Sequence, residues 1–280
     1  MEQVLVADNH CHLNPVKGLG LKAVKRFKKS GGWFMCVVNL LSWSYDISIT
    51  RAEDYAKLYE KTIEIAEEAR KLGVKTAVII GPHPAELVKL SEKVELLEAE
   101  QIIRQAYELA SKYIREGLAD GLGEVGRPHW NTSREVVEAC NRVLDYVLLL
   151  SRDLDCVVHL HLEQKGLQTV DDIHARVRRI GARRIVFHHA EPNCVKAIAS
   201  RKMYASITGK KNFLLEAIRQ TEKFVVESDF LDDPRRPGAV IAPWSIASTT
   251  KKLLNQNIID YDKVYKIHVD NIKEIYDIEL

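Results

Sequence analysis

Five cysteines, Cys11, Cys36, Cys140, Cys156 and Cys194, form an odd set without a C-x-x-C pair, and most sit in apolar runs. That usage argues against a disulfide framework and points to a reducing compartment. The 280-residue chain contains no apolar run near the roughly 18 residues of a membrane span. Its opening Met-Glu-Gln is followed by too few apolar residues for a secretory signal. Charge of one sign is also missing: a formal excess of +2 lacks the bias that announces a nucleic-acid partner. No G-x-G-x-x-G or Walker sequence follows an apolar run, which weakens a nucleotide-binding sheet. The expectation is a cytoplasmic protein with no membrane partner.

What is present is alternation. Eight short β-branched runs, Val4 to Ala7, Phe34 to Asn39, Lys75 to Ile80, Gly117 to Gly123, Cys156 to His161, Arg184 to His188, Met203 to Ile207 and Lys223 to Asp229, read as strands. Between them Ala52 to Leu72, Glu100 to Arg115, Ser133 to Arg152 and Val170 to Ile180 repeat apolar residues at three and four, the helical period. Strands alternating with helical crossovers imply a parallel sheet, and eight such units at this length favour an α/β fold of the (β/α)₈ TIM-barrel type over an open sheet. The chain is expected to be one barrel domain over residues 1–280, with Asp260 to Leu280 as a last helix against the barrel.

The histidines follow that frame. In "DNHCHL", His10 and His12 are spaced two apart at the end of the first run. Alternate strand residues share a face, so both imidazoles point the same way and can hold one metal ion. His83, His129, His159, His161, His188 and His189 fall at or just beyond later strand ends, whereas His174 and His268 lie inside helical patterns. In a barrel, those strand ends and the loops after them build the active site. Glu124 in "GLGEVGRPH" and Asp229 in "FVVESDF" end two further runs. A carboxylate rarely stays buried without a partner, and a metal supplies the missing positive charge. Taken singly, a strand-end histidine is a structural residue, Glu124 a cap or a partner of Arg127, and Asp229 a turn residue. Together they converge on one rim.

In order, "DNHCHL", "GPHPAE", "GEVGRPH", "HLHLE", "FHHA" and "ESDF" resemble the motifs of TatD-like metal-dependent hydrolases, within the amidohydrolase superfamily of barrels. The resemblance spans Asp8 to Asp229 and is nearest to an archaeal-type branch. It implies that His10, His12 and Asp229 bind one divalent metal, that Glu124 bridges to a second, and that His161 and His188 complete the second site. His159 competes with His161, and His189 with His188. Two departures stand out: Glu163 replaces an Arg often found two residues after the fifth-strand His, and Arg127-Pro128 replaces the usual Leu-Asp after the strand-four Glu. A carboxylate bridge at Glu124, with no Lys in that strand, sets the chain apart from phosphotriesterase and urease subtypes.

The function so implied is divalent-metal-dependent hydrolysis of phosphodiester bonds, with DNA as the substrate class and two ions of Zn, Mn, Fe or Mg as cofactors. Two such ions share a water, lower its pKa and polarise a phosphoryl oxygen. Asp229 is expected to act as catalytic base as well as ligand. His83, Arg127, His129, His159, Glu163 and His189 are the expected substrate contacts, and Trp43 and Tyr45 are candidates to stack on a base or sugar. Two alternatives remain at this point: an amidohydrolase acting on a small amide, ester or lactone, and a non-catalytic metal-binding scaffold.

Overall fold

The computed structural model describes residues 4–236 and 240–280. Eight strands pair in parallel and in chain order: β1 (Val6–Cys11), β2 (Gly32–Val38), β3 (Lys75–Ile80), β4 (Gly121–Gly126), β5 (Val157–His161), β6 (Ile185–Phe187), β7 (Tyr204–Thr208) and β8 (Val225–Glu227). The first and last are joined by a parallel bridge between Cys11 and Phe230, with the Asp229 N–H donating to His10 O at 2.9 Å and the His12 N–H to Phe230 O at 2.8 Å. Sequential parallel order with helical crossovers and a joined first and last strand is a (β/α)₈ TIM barrel.

The crossovers are α1 (Leu21–Ser30), α2 (Ala56–Lys71), α3 (Pro84–Ser91) with α4 (Leu96–Arg115), α5 (Arg134–Leu154), α6 (Leu167–Ile180), α7 (Val195–Ser200) and α8 (Lys211–Ile218). After β8 come α9 (Pro243–Asn255), α10 (Tyr261–Tyr265) and α11 (Asn271–Tyr276), the last two joined by a π turn over Lys266–Asp270. The amphipathic stretches expected to be helical are so: α5 starts where Ser133 accepts from the Val136 N–H at 3.3 Å, a side-chain N-cap.

Apolar residues divide into two clusters. Outward-facing strand residues such as Val37, Val78, Leu122 and Leu160 pack under the helices. A smaller cluster fills the barrel interior, where Phe34, Ile79, Val157 and Val225 meet Val269, Ile272, Ile275 and Tyr276 from the chain's last helical segments. The final helix therefore does more than lie against the barrel: it plugs the interior at the end away from the rim.

Every strand but β3 differs from the sequence expectation at one limit or both, and the differences at β1, β4 and β8 move functional side chains. β1 runs to Cys11, so His10 lies within the strand. Its polar run Asp8-Asn9-His10 argued for a loop, but each side chain finds a buried partner, Ser228, Ser206 and His159 respectively. The β1–β2 register slips between Asp8 and Cys11, and such an irregularity lets the consecutive Asn9 and His10 both reach interior partners. β4 starts at Gly121 instead of Gly117, because Gly117 has φ 70° and belongs to the turn that ends α4; Glu124 thus sits inside the strand. β8 ends at Glu227, two residues before Asp229, whose φ of 47° breaks the extended chain.

Candidate metal centre

Six side chains from five strands meet at the C-terminal rim. Glu124 is the hub: Oε1 lies 3.2 Å from His161 Nδ1, 3.2 Å from His188 Nε2 and 3.6 Å from His10 Nε2, while Oε2 lies 3.6 Å from His12 Nε2. Asp229 Oδ1 is 3.6 Å from His12 Nε2 and 3.7 Å from His188 Nε2. The rings of His10 and His188 stack with centroids 3.6 Å apart. All six residues are buried.

The electrostatics are those of a cation site. Burial works to raise the Glu124 carboxyl, but the His10 and His188 rings beside it hold it well below its ordinary range. Asp229 is likewise held down by His189 and His12 against its burial. Burial also pushes the His10 and His188 rings down, so their neutral, ligating forms are favoured. Burial works to lower His12 too, but its bond to Asp229 and the nearby Glu124 raise it, so the two carboxylates draw positive charge to this point, as a divalent ion would supply.

The donor set fits such an ion. His10 with His12 and Glu124, His10 with His188 and Asp229, and His83 with Glu124 and His161 each place one ligand atom apiece within 4.8 Å of the others. Among the described residues, His10 Nε2 is one of four buried side-chain polar atoms without a hydrogen-bond partner. An unpaired buried nitrogen costs free energy unless something else occupies its lone pair. Mixed imidazole nitrogen and carboxylate oxygen suits Zn²⁺, Mn²⁺ or Fe²⁺. Glu124 belongs to two of these groups, as a bridging ligand would. His161 and His188, expected to share one ion, fall into different groups here, His161 with His83 and His188 with His10.

Residues behind the ligands orient them. His12 Nδ1 faces Val38 O at 3.1 Å and His188 Nδ1 faces Glu227 Oε2 at 2.9 Å, so Nε2 of each ring is turned to the centre. The Glu227 carboxyl, pushed up to about 8 by burial despite the opposing pull of His189, is fully buried and also accepts the His189 N–H at 3.1 Å. Glu86 of "GPHPAE" accepts the Ser42 N–H at 2.7 Å and its hydroxyl at 3.0 Å, pinning the turn that carries Trp43.

Above the centre opens a cavity of about 660 Å³ lined by every ligand except His10, by His83, His129 and His189, and by Leu40, Trp43, Trp130, Arg235 and Arg236. His129 Nδ1 lies 2.8 Å from His161 Nε2, and His189 Nε2 lies 3.0 Å from Asp229 Oδ2, a contact that, with burial working the other way, lifts His189 to about 9. Burial first, and then the nearby His161 ring, push His83 down to about 3. Of the paired alternatives, His161 lines the cavity and His159 does not, whereas His188 and His189 both do.

Three expected substrate contacts lie elsewhere. His159 is sealed beneath His10, its Nδ1 3.0 Å from His10 Nδ1 and its Nε2 2.8 Å from the Tyr276 hydroxyl. It points into the barrel as expected, but one strand layer too deep to meet a substrate. Arg127 and Glu163 pair with each other through Nε to Oε2 at 2.7 Å and Nη2 to Oε1 at 2.9 Å, and neither lines the cavity. The two positions that depart from the TatD-like pattern are therefore partners. Tyr45 donates to Leu13 O at 3.3 Å and leaves Trp43 as the aromatic of that turn in the cavity. Trp130, Arg235, Arg236 and Tyr276 carried no sequence signal, and Glu227 was visible as part of "ESDF" without a role.

Comparison with known proteins agrees with this picture. Residues 7–277 match the model of the family described as TatD related DNase. An uncharacterized protein of Methanocaldococcus jannaschii is 31% identical over 284 residues, covering 100% of this chain and 98% of its own. YJJV, a TatD homolog from Escherichia coli K12, superposes with a TM-score of 0.72 at 17% identity, covering 99% of this chain and 100% of that one. A TatD family hydrolase from Entamoeba histolytica gives 0.61 at 15%, with 99% of each chain covered. At such identities the two structures speak for the fold alone. By the family match and the full-length relative, the chain belongs to the TatD related DNase family of metal-dependent hydrolases.

Proposed function

We propose that this protein is a divalent-metal-dependent phosphodiesterase acting on DNA. The observation that carries the reading is the pair of overlapping buried groups His10–His12–Glu124 and His10–His188–Asp229, with His10 Nε2 lacking a hydrogen-bond partner. His10, His12 and Asp229 would hold one cation, and Glu124 with His161 and His188 would hold a second. Bound there, the cations supply Lewis-acid activation of water and of the scissile phosphoryl oxygen. Asp229 takes the proton of the attacking water, its Oδ2 steadied by His189 Nε2 at 3.0 Å. Arg236 lines the cavity from the loop after β8 and suits a phosphate, Arg235 beside it is held by Asp233 through Nε and Nη2 at 3.0 Å each, and Trp43 and Trp130 offer flat apolar faces to bases.

Protein loaded with Mn²⁺ is expected to shorten an end-labelled DNA strand, and Asp229→Asn to reduce the rate by about 100-fold or more, the range of a lost general base. Undiminished cleavage by the variant refutes the assignment. The cavity volume favours one second reading: about 660 Å³ with Leu40 and Leu41 on its wall also suits a small ester, amide or lactone. Turnover of such compounds, with phosphodiesters untouched under the same metal, selects that reading.

A further inference from the structure

Beneath the ligands a chain of buried side chains runs from His188 round the barrel interior to His10, passing through the C-terminal helix. We propose that Tyr276 is a positioning residue of the metal centre: its hydroxyl sits midway in a one-way hydrogen-bond relay that keeps the proton of His10 on Nδ1 and presents Nε2 as a bare lone pair. The proposal rests on the metal-centre reading above and adds to it the residue, 266 positions away, that prepares a first ligand.

The direction of each bond follows from what each group can donate. Glu227 Oε1 accepts the His189 N–H at 3.1 Å, and Oε2 lies 2.9 Å from His188 Nδ1. Asn9 Nδ2 donates to Ser206 Oγ, 3.1 Å away. That orients the amide so that Asn9 Oδ1, which only accepts, faces the Tyr276 hydroxyl at 2.9 Å. Tyr276 spends its proton there, and His159 Nε2, 2.8 Å off, must be an N–H donating to the phenol oxygen. The His159 ring is fully buried and bonded to no carboxylate, so it carries one proton only, and its Nδ1 is a lone pair that accepts from His10 Nδ1 at 3.0 Å. What is left on His10 is an unprotonated Nε2, the buried atom that has no partner.

The other end of the relay does the same for His188. Its Nδ1–H donates to Glu227 and its Nε2 faces Glu124 and Asp229. Each of the two stacked imidazoles is thus held at Nδ1 by a buried partner, His188 by Glu227 and His10 by His159. If the Tyr276 oxygen is deleted, His159 Nε2 keeps only the weak contact with Cys36 Sγ at 4.0 Å and can move its proton to Nδ1. His10 Nδ1 then becomes the acceptor, and the proton on its Nε2 blocks the site. Tyr276→Phe keeps the ring that packs on Phe34, so this change separates the hydroxyl from the plug.

The test uses the full chain. Ring-nitrogen NMR of metal-free protein is expected to show His10 with its proton on Nδ1, and Tyr276→Phe to show a population with the proton on Nε2. Zinc affinity, measured by competition with a chromogenic chelator, is expected to fall by about 10-fold or more in the variant, the usual loss when an orienting partner of a ligand is removed. A native His10 protonated on Nε2, or a Tyr276→Phe chain binding zinc as tightly as the native one, overturns the relay. If the native chain binds neither zinc nor manganese, the metal-centre reading falls instead, and the ring spectra still decide the relay. Because they are read on the native protein as well, a variant that fails to fold leaves the proposal open to refutation.

Discussion

Arg127 is the residue at which chemistry and architecture are easiest to confuse. It stands three positions after Glu124, on the rim, with a fork suited to phosphate. The fork is occupied: Glu163 takes two of its N–H groups, and Nη1 reaches Asn141 at 3.1 Å and Asp172 at 2.5 Å. Arg127 and Glu163, the two charged residues that depart from the TatD-like pattern, bind each other across the loops after β4 and β5. Arg127→Ala should destabilise the fold by roughly 1 to 2 kcal/mol, since it strands the largely shielded Glu163 carboxylate, whereas the more exposed Asp172 keeps Arg176. It should leave zinc affinity near native. Urea unfolding and chelator competition check the two halves, and a variant of native stability that no longer binds zinc would return Arg127 to the site.

At the scale of elements, the ligand geometry depends on how closely β4 and β5 approach. Gly126 has φ 149°, and a Cβ there would lie 2.0 Å from His161 O. Gly126→Ala must therefore push apart the two strands that carry Glu124 and His161. The expected cost is about 2 kcal/mol in urea unfolding, together with weaker metal binding. A native-like variant would mean that the strands yield freely. The pattern of Val, Ile and Leu made these strands legible, because two-sided burial demands continuous apolar runs. Their ends were less so. In β1 and β4 the polar residues at the rim read as loop and in β8 they read as strand, and only tertiary partners such as Ser228 for Asp8 show where the strand ends.

For the whole molecule, the last helical segment joins the chain's two ends. His268 in the π turn accepts the Ala7 N–H of β1 on Nδ1 at 3.3 Å, and its Nε2 meets Thr250 Oγ1 of α9 at 3.2 Å. Burial pushes the ring down to about 4, although the bond to Ala7 opposes this. Unfolded, the same ring titrates near about 6.5. Its folded pKa is the lower one, so the neutral ring's contribution is complete above about pH 6.5 and is lost as pH falls towards 4, where the unfolded chain binds the extra proton. The gap corresponds to about 3 kcal/mol. The stability advantage of the native chain over His268→Gln should shrink by about 2 to 3 kcal/mol between pH 7 and pH 4.5 in urea titrations. An advantage independent of pH would show that the ring is not held neutral.

Alternating strand and helix periods, and six spaced acidic and imidazole residues, were enough to assign the barrel and to bring His10, His12, Glu124, His161, His188 and Asp229 to one rim. Periodicity survives in one dimension, and a strand's C-terminal end marks the functional side of a barrel whatever the packing. The depth of each side chain does not survive there. His159 and His161 share a strand face, and Tyr276 alone, arriving from the far end of the chain, decides that one lies under His10 while the other meets the cavity. The pairing of Arg127 with Glu163 and the gathering of Asn9, Ser206 and Glu227 behind the ligands were likewise set by three-dimensional closure. Hydrogen bonds between distant residues leave no periodic trace in the chain, and their directions exist only once the partners face one another.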